Sequence, residues 1–225
     1  MAAIDRGERG WLCTVNVAIL MMMRDSPTLQ AFADRARWTV ADGQPLIWAS
    51  RWFGRPLPER VTGVDLVHAL CAQAQARGLG IYLLGATDPI ITTLAQQLQQ
   101  HYPRLKLHWA NGYFSATEAT QRAEAVAQSG AHILLVGMGV PRQETFIASQ
   151  WDRLGVQLAI GVGGSFDVLA GLRARAPAWV QRMGMEWFYR LVQEPRRLWR
   201  RYLVTNTQFV ALLLRALISP RHRDL

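Results

Sequence analysis

Residues 133–144 read ILLVGMGVPRQE and combine a short apolar run, a glycine-rich turn and the start of a helix. The run Ile133–Val136 is apolar at every position, as expected for a strand that is buried on both faces of a sheet. Gly137 and Gly139 follow it, and Pro141 stands near the first position of the next helix, which proline favours. A strand, a turn and a helix in this order predict part of a βαβ unit.

The same alternation extends along the chain in both directions. Apolar runs predict strands at Trp11–Val17, Trp38–Val40, Ile81–Leu84, Leu105–His108, Ile133–Val136 and Leu158–Val162. Helical stretches are predicted at Thr28–Ala36, Pro45–Phe53, Gly63–Arg77, Asp88–Tyr102, Ala116–Gln128 and Pro141–Trp151. Strands that alternate with helices favour an α/β fold with a mainly parallel sheet and helices on both faces.

The positive charge is concentrated near the end of the chain. The 225 residues have a formal net charge of +9. From residue 171 onward, eleven arginines face only Glu186, Glu194 and Asp224, which leaves a net charge of +8 in this segment. We therefore predict a nearly neutral α/β body over residues 1–170 and a basic helical appendage over residues 171–225.

The predicted appendage has an amphipathic pattern. Arginines recur on one side of a helix and apolar or aromatic residues on another: Arg190, Arg197 and Arg201 against Leu191, Leu198, Trp199 and Tyr202. This pattern is typical of a helix that lies on an anionic bilayer surface. A nucleic-acid-binding surface has the same charge pattern, and so has a solvated charged face. The interleaved aromatic residues favour the membrane.

Several classes of protein lose support from what the sequence lacks. It has no signal-peptide pattern at its start and no uninterrupted apolar stretch of about 18 residues. Cys13 and Cys71 are far apart, which fits a reducing compartment. There is no Asp-x-Asp pair, no phosphate loop with a lysine and no clustering of the five histidines. We expect a cytoplasmic protein without a metal ion or other cofactor.

Polar residues at two strand ends are candidates for chemistry. Thr14 and Asn16 close the first predicted strand, and Asp42 closes the second. An aspartate at such an edge can act as a general base toward a sugar hydroxyl, while threonine and asparagine hold the substrate by hydrogen bonds. The alternative is that Asp42 belongs only to a turn and caps the next helix.

Other candidates lie in turns before helices. Arg60 precedes a helix for which Thr62 is the predicted N-cap, and an arginine there adds to the attraction for anions; an ordinary surface arginine is the alternative. Gln143 stands in a first helical turn, from which it can point into the crevice. The candidate ligand-binding residues in glycine-rich or aromatic turns are Gly137, Gly139, Gly163, Gly164, Asp167 and Tyr113.

Six sequence blocks together resemble the WecG/TagA/CpsF glycosyltransferases over about residues 11–203. They are Thr14-Val15-Asn16, Ala41-Asp42-Gly43, residues 55–63 (RPLPERVTG), residues 139–144 (GVPRQE), residues 161–167 (GVGGSFD) and residues 186–190 (EWFYR). The resemblance implies a Rossmann-like body and an inverting, metal-independent transfer from a UDP-sugar, typically UDP-N-acetylmannosamine or its uronic acid. It implies N-acetylglucosamine on a polyprenyl diphosphate as the acceptor, and a place on the inner face of the cytoplasmic membrane.

The resemblance also implies roles for particular residues. Asp42 is the implied base toward the acceptor hydroxyl, Thr14 and Asn16 position the sugars, and Arg60 and Gln143 hold donor groups. The implied arginines that cover the site and stabilise the departing UDP are Arg190, Arg197 and Arg200. The alternatives are a glucosyl- or galactosyltransferase to a capsule lipid, a non-catalytic nucleotide- or nucleic-acid-binding module, and a membrane scaffold for other glycan enzymes. Binding of nucleic acid is not expected, and self-association is left open.

The chain departs from the family pattern at two places. Only thirteen residues precede Thr14, where the family commonly has a further strand and helix, so we expect a shorter sheet edge or a truncated start. Arg142 replaces the usual lysine of the fourth block and preserves the charge.

Overall fold

A computed structural model describes residues 1–218, except for the side chain of Arg197. Within that range, six parallel strands form one sheet in the order β2-β1-β6-β5-β3-β4. They are β1 (Gly10–Val15), β2 (Trp38–Ala41), β3 (Gly80–Gly85), β4 (Lys106–Ala110), β5 (Ile133–Gly137) and β6 (Leu158–Gly161). All six predicted strands are confirmed, and so is the α/β class of the fold.

The helices occupy the segments between and after the strands. They are α1 (Ala2–Asp5), α2 (Val17–Asp25), α3 (Pro27–Asp34), α4 (Gln44–Trp52), α5 (Gly63–Arg77), α6 (Asp88–His101), α7 (Ala119–Gln128), α8 (Arg142–Leu154), α9 (Ser165–Leu169), α10 (Ala178–Arg182), α11 (Glu186–Gln193) and α12 (Pro195–Ile218). A short 3₁₀ helix, Ala116–Glu118, precedes α7. Each predicted helix is present, with ends that differ by a few residues. Thr62 is the N-cap of α5, as predicted, and its side chain accepts a hydrogen bond from the Asp65 amide.

The sequence prediction was wrong about the end of the first strand. Residues 15–23 are apolar except for Asn16, and we predicted strand as far as Val17. In the structure β1 ends at Val15, because the Oδ1 atom of Asn16 accepts a hydrogen bond from the Ile19 amide at 3.0 Å and caps α2. Asn16 is a favoured N-cap residue, and this signal inside the apolar run marks the start of the unpredicted helix.

The described residues divide into two compact units, each with its own apolar core. Unit 1 comprises residues 1–14, 28–40 and 61–174, and its core contains Ile81, Leu83 and Leu135 from neighbouring strands. Unit 2 comprises residues 15–27, 41–60 and the chain from Arg175 onward. The division into a 1–170 body and a 171–225 appendage as functional domains stays a prediction, and its last seven residues lie outside the described range.

The core of unit 2 joins the C-terminal helix to two earlier segments of the chain. Val17 and Met21 from α2, Ala49 from α4 and Phe209 from α12 are buried against one another. The basic C-terminal segment therefore does not stand alone, since its long helix packs on helices that directly follow β1 and β2.

Candidate active site

The order of the strands fixes where unit 1 can hold a ligand. The chain passes from β3 to β4 in one direction along the sheet and from β5 to β6 in the opposite direction. In open α/β sheets, ligands bind at such a switch point, outside the carboxyl ends of the strands. The switch lies between β3 and β5, where Gly85 pairs with Gly137 and the Ala86 amide donates to the Gly137 carbonyl at 3.2 Å.

Glycine is required at this edge because the two strand ends touch. A Cβ atom added to Gly85 would lie 2.5 Å from the carbonyl oxygen of Gly137, which is closer than real contacts permit. Gly85 also has φ +157°. Only glycine allows the turns after β3 and β5 to approach each other this closely.

Gln143 ties together the turns that follow β5 and β6. Its side chain is buried, with 1% of its surface exposed, and its Oε1 atom accepts from the Gly139 amide at 3.2 Å and the Gly163 amide at 3.1 Å. Its Nε2 group donates to the Oε1 atom of Glu144 at 2.8 Å. Gln143 thus fixes the positions of the two glycine turns, while its predicted contact with a donor group stays a prediction.

Thr14 lies beside the same network at the end of β1. Its hydroxyl donates to the Gly161 carbonyl at 3.1 Å. A Cβ atom added to Gly161 would lie 2.5 Å from the Nε2 atom of Gln143, so the glutamine side chain packs directly on this glycine. Thr14, Gly161 and Gln143 therefore form one contact chain across neighbouring strands of unit 1.

The turn after β4 presents an exposed aromatic ring. Tyr113 has 69% of its surface exposed, and its amide donates to the Oδ1 atom of Asn111 at 3.0 Å. The guanidinium groups of Arg122 and Arg142 lie 5.6 and 5.1 Å from the centre of the Phe114 ring. Arg142 also donates to the Phe114 carbonyl at 2.6 Å. The turn is thus held by two cations, and Tyr113 is open to stack on a planar ligand.

The remaining candidate of unit 1 already has a partner. Asp167, in the first turn of α9, forms an ion pair with Arg173 at 3.2 Å. Gly164 is the N-cap of that helix, and Gly163 precedes it with φ +52°. These three residues follow β6 directly, so they belong to the same carboxyl edge of the sheet.

In unit 2, Asn16 and Asp42 are neighbours. The Asp42 amide donates to the Val15 carbonyl at 2.7 Å, and a Cβ atom added to Gly43 would make ordinary contact with the Cβ atom of Asn16, at 3.6 Å. The N-cap of α4 is Gly43, so Asp42 lies one residue before the cap. The predicted proximity of the two strand ends is thus found, and the predicted roles of both side chains stay untested.

Arg60 is held by an acidic residue of the C-terminal segment. Its Nη1 atom lies 2.9 Å from the Oε2 atom of Glu186, and the two side chains are 16% and 19% exposed. Both residues belong to blocks that carried the family resemblance. The ion pair links the loop before α5 to α11 within unit 2, and it fixes the guanidinium group that we predicted to hold the donor.

The long helix α12 has a second apolar stripe that faces solvent. Trp199, Leu203, Val210, Leu214 and Leu217 are each about half exposed or more, and their spacing places them along one side of the helix. Leu198, which we had placed with Trp199 on the apolar side facing the membrane, is instead buried, as are Thr205 and Phe209 on the same side of the helix. The sequence could not separate these two apolar stripes because both have helical spacing.

Arginines flank this solvent-exposed stripe. Arg196 and Arg200 are exposed at the start of α12, and the guanidinium group of Arg200 lies 5.3 Å from the centre of the Trp199 ring. Arg190 is partly buried on α11. Arg197 lies in α12, but its side chain is outside the described part of the structure. None of the helices in residues 1–218 is both long and apolar enough to span a bilayer.

Sequence reasoning missed one buried acid, Glu144. Burial raises the pKa of its carboxyl group to about 7, against the opposing effects of the Gln143 amide and its own backbone amide. Its Oε2 atom has no hydrogen-bond partner among the described residues. The same burial effect, with a contribution from Glu144, raises the pKa of the Cys13 thiol to about 12. A glutamate at a helix position that faces a sheet was the available signal.

The described part of the chain contains no group of three His, Cys, Asp or Glu side chains that could hold a metal ion. That the reaction needs no metal therefore stays a prediction. What the structure brings together in unit 1 is Thr14, Gln143 and the glycine turns, and in unit 2 it is Asn16 with Asp42 and Arg60 with Glu186.

An open parallel sheet with glycine turns at its switch point is the architecture of α/β proteins that bind ligands at the carboxyl edge of the sheet. The sequence profile of the Glycosyl transferase WecG/TagA/CpsF family matches residues 1–223, and the chain belongs to this family. It is 32% identical over 209 residues to an N-acetylglucosaminyldiphosphoundecaprenol N-acetyl-beta-D-mannosaminyltransferase of Bacillus subtilis, covering 89% of this chain and 80% of the relative.

A second relative, from Bacillus spizizenii, has the same name. It is 29% identical over 211 residues, covering 93% of this chain and 81% of the relative. The resemblance inferred from the six sequence blocks is thus confirmed, and the chain is a glycosyltransferase. Neither relative has a name that supports the alternatives of a glucosyl- or galactosyltransferase, a nucleic-acid-binding module or a scaffold.

Proposed function

We propose that the chain transfers N-acetylmannosamine from a UDP donor to N-acetylglucosamine carried on undecaprenyl diphosphate. The names of the two relatives support the acceptor and the transferred sugar. The structural observation that carries the proposal is the edge between β3 and β5, where glycine turns meet at the switch point of the sheet.

The donor is proposed to bind at this edge of unit 1. Helix α8 begins at Arg142, directly after the turn that follows β5, so the dipole of this helix favours a negative group there. Arg142 adds a positive charge at the same point. Tyr113 provides an exposed ring on which a uracil base can stack.

Asp42 is the proposed base. A carboxylate that accepts the proton of the acceptor hydroxyl makes the oxygen a better nucleophile toward the anomeric carbon of the donor. The bond from that carbon to the UDP oxygen breaks, and the diphosphate leaves with the extra negative charge. Arginines are suited to stabilise this charge without a metal because their planar, permanently charged groups match phosphate oxygens.

The exposed stripe of α12 is proposed to rest on the membrane that carries the acceptor. Apolar side chains flanked by arginines are typical of helices that lie in the interface of an anionic bilayer. Each basic residue near such a surface contributes about 1 kcal/mol. A peripheral position on the inner face of the cytoplasmic membrane would bring the protein to a lipid-linked substrate.

The direct test of the base is turnover by the Asp42→Asn variant. Purified protein is mixed with UDP-N-acetylmannosamine and a lipid-diphosphate N-acetylglucosamine analogue, and released UDP is measured. Loss of a general base lowers the rate by about 100-fold or more. Asp152→Asn, an exposed change on α8, is the control and should keep the wild-type rate. An Asp42→Asn enzyme with the wild-type rate would rule out the assignment.

A further inference from the structure

The Gln143 amide can hold both glycine turns in only one of its two orientations. In that orientation Oε1 faces the amide groups of Gly139 and Gly163, and Nε2 points away from them. A rotation of the terminal amide by half a turn would place the Nε2 donor against two other donors and lose both hydrogen bonds. The orientation therefore depends on an acceptor for Nε2, and Glu144 provides it at 2.8 Å.

We propose that Glu144 is a positioning residue for the transferase reaction: it fixes the Gln143 amide, and thereby sets the spacing of the glycine turns after β5 and β6 that receive the donor. This inference rests on the proposed function, since it assigns the donor to those turns. It concerns a residue that touches no substrate and acts through the side chain next to it.

The arrangement of the carboxyl group supports a role other than packing. Glu144 is buried on α8, yet only one of its two oxygens has a described partner. A buried carboxylate that is only partly hydrogen-bonded destabilises a fold, and an apolar side chain of similar volume often packs there at lower cost. A buried polar group that is not fully hydrogen-bonded is the kind of feature expected at a functional site.

The decisive variants separate the acceptor from the volume of the side chain. Glu144→Leu removes the acceptor for Nε2, whereas Glu144→Gln keeps an oxygen in reach of it. Gln150→Leu, which removes another partly buried polar side chain from α8, is the matched control. Glu144→Met is a second variant without an acceptor, should the leucine variant fail to fold.

Two measurements are made on each variant. Hydrogen exchange resolved by residue reports the Gly139 and Gly163 amides, and calorimetry reports the dissociation constant for UDP. A buried donor that is left without its acceptor loses stability, and a tenfold change in affinity corresponds to about 1.4 kcal/mol. We expect Glu144→Leu to speed exchange at both glycines together and to weaken UDP binding by about tenfold or more. For Glu144→Gln and Gln150→Leu, the dissociation constant for UDP should stay within about threefold of the wild-type value.

Three results would overturn the inference. The first is unchanged exchange at Gly139 and Gly163 in both acceptor-free variants. The second is faster exchange spread evenly over the strands of unit 1, which a purely structural role would produce. The third is a loss of UDP affinity in Glu144→Gln that is as large as the loss in Glu144→Leu. Failure of the wild-type protein to bind UDP would instead count against the proposed function, because the exchange measurement needs no ligand.

Discussion

Replacing Glu144 by glutamine should remove a specific part of the pH dependence of stability. Burial raises the pKa of this carboxyl from 4.5 to about 7 in the folded protein. The unfolded chain therefore releases this proton at lower pH than the folded chain. The contribution of Glu144 to the free energy of unfolding is therefore greatest below pH 4.5. It falls as the pH rises toward 7, because the folded state still holds a proton that the unfolded state has lost.

The size of the effect follows from the two pKa values. Each unit of difference corresponds to about 1.4 kcal/mol. The free energy of unfolding of the wild-type protein should therefore fall by about 2–3 kcal/mol between pH 5 and pH 8 because of this one group. For a chain of this length, that loss lowers the melting temperature by roughly 5–10 °C.

The assay compares urea unfolding of the wild type and Glu144→Gln at pH 5 and pH 8. All other titrating groups, including the histidines, are common to both proteins and cancel in the comparison. Relative to the wild type, the free energy of unfolding of Glu144→Gln should rise by about 2–3 kcal/mol on going from pH 5 to pH 8. An identical pH dependence in the two proteins would refute the reasoning, because it would mean that Glu144 ionises at its ordinary pKa.

Two further predictions concern packing and the membrane. Gly161→Ala would place a Cβ atom 2.5 Å from Nε2 of Gln143, so it should destabilise the protein by about 1–3 kcal/mol in urea unfolding. Gly164→Ala should not, because its added Cβ atom would make only an ordinary contact with Arg173, at 4.0 Å. Leu214→Ser combined with Leu217→Ser should weaken binding to anionic vesicles by about tenfold or more in a sedimentation assay. Leu172→Ser in unit 1 is the control for the vesicles; equal binding by all three proteins would contradict the role of α12.

The sheet could be predicted because its strands are buried on both faces. Runs such as Ile133–Val136 have no polar position, and glycines mark their ends. The start of α2 could not be placed in the same way, since residues 15–23 are apolar except for Asn16 and either a strand or a helix fits them. Only the capping contact of Asn16 with Ile19 decides between the two.

The candidate site was predictable in its position along the chain but not in its contacts. Glycine turns after strands mark a carboxyl edge, and Thr14 and Gln143 were found from their places next to it. The direction of the Gln143 side chain depends on a partner that is distant in sequence, Gly163. The helix position of Glu144 hints that it faces the sheet, but nothing local in the sequence indicates that Arg60 pairs with Glu186.

The proposed transfer is tested most directly by the mass of the lipid product. Wild-type protein is incubated with a lipid-diphosphate N-acetylglucosamine analogue and, in separate reactions, with UDP-N-acetylmannosamine or UDP-glucose. The proposed function predicts a lipid heavier by one N-acetylhexosamine in the first reaction and an unchanged lipid in the second. A lipid that gains mass only with UDP-glucose, or with neither donor, would contradict it.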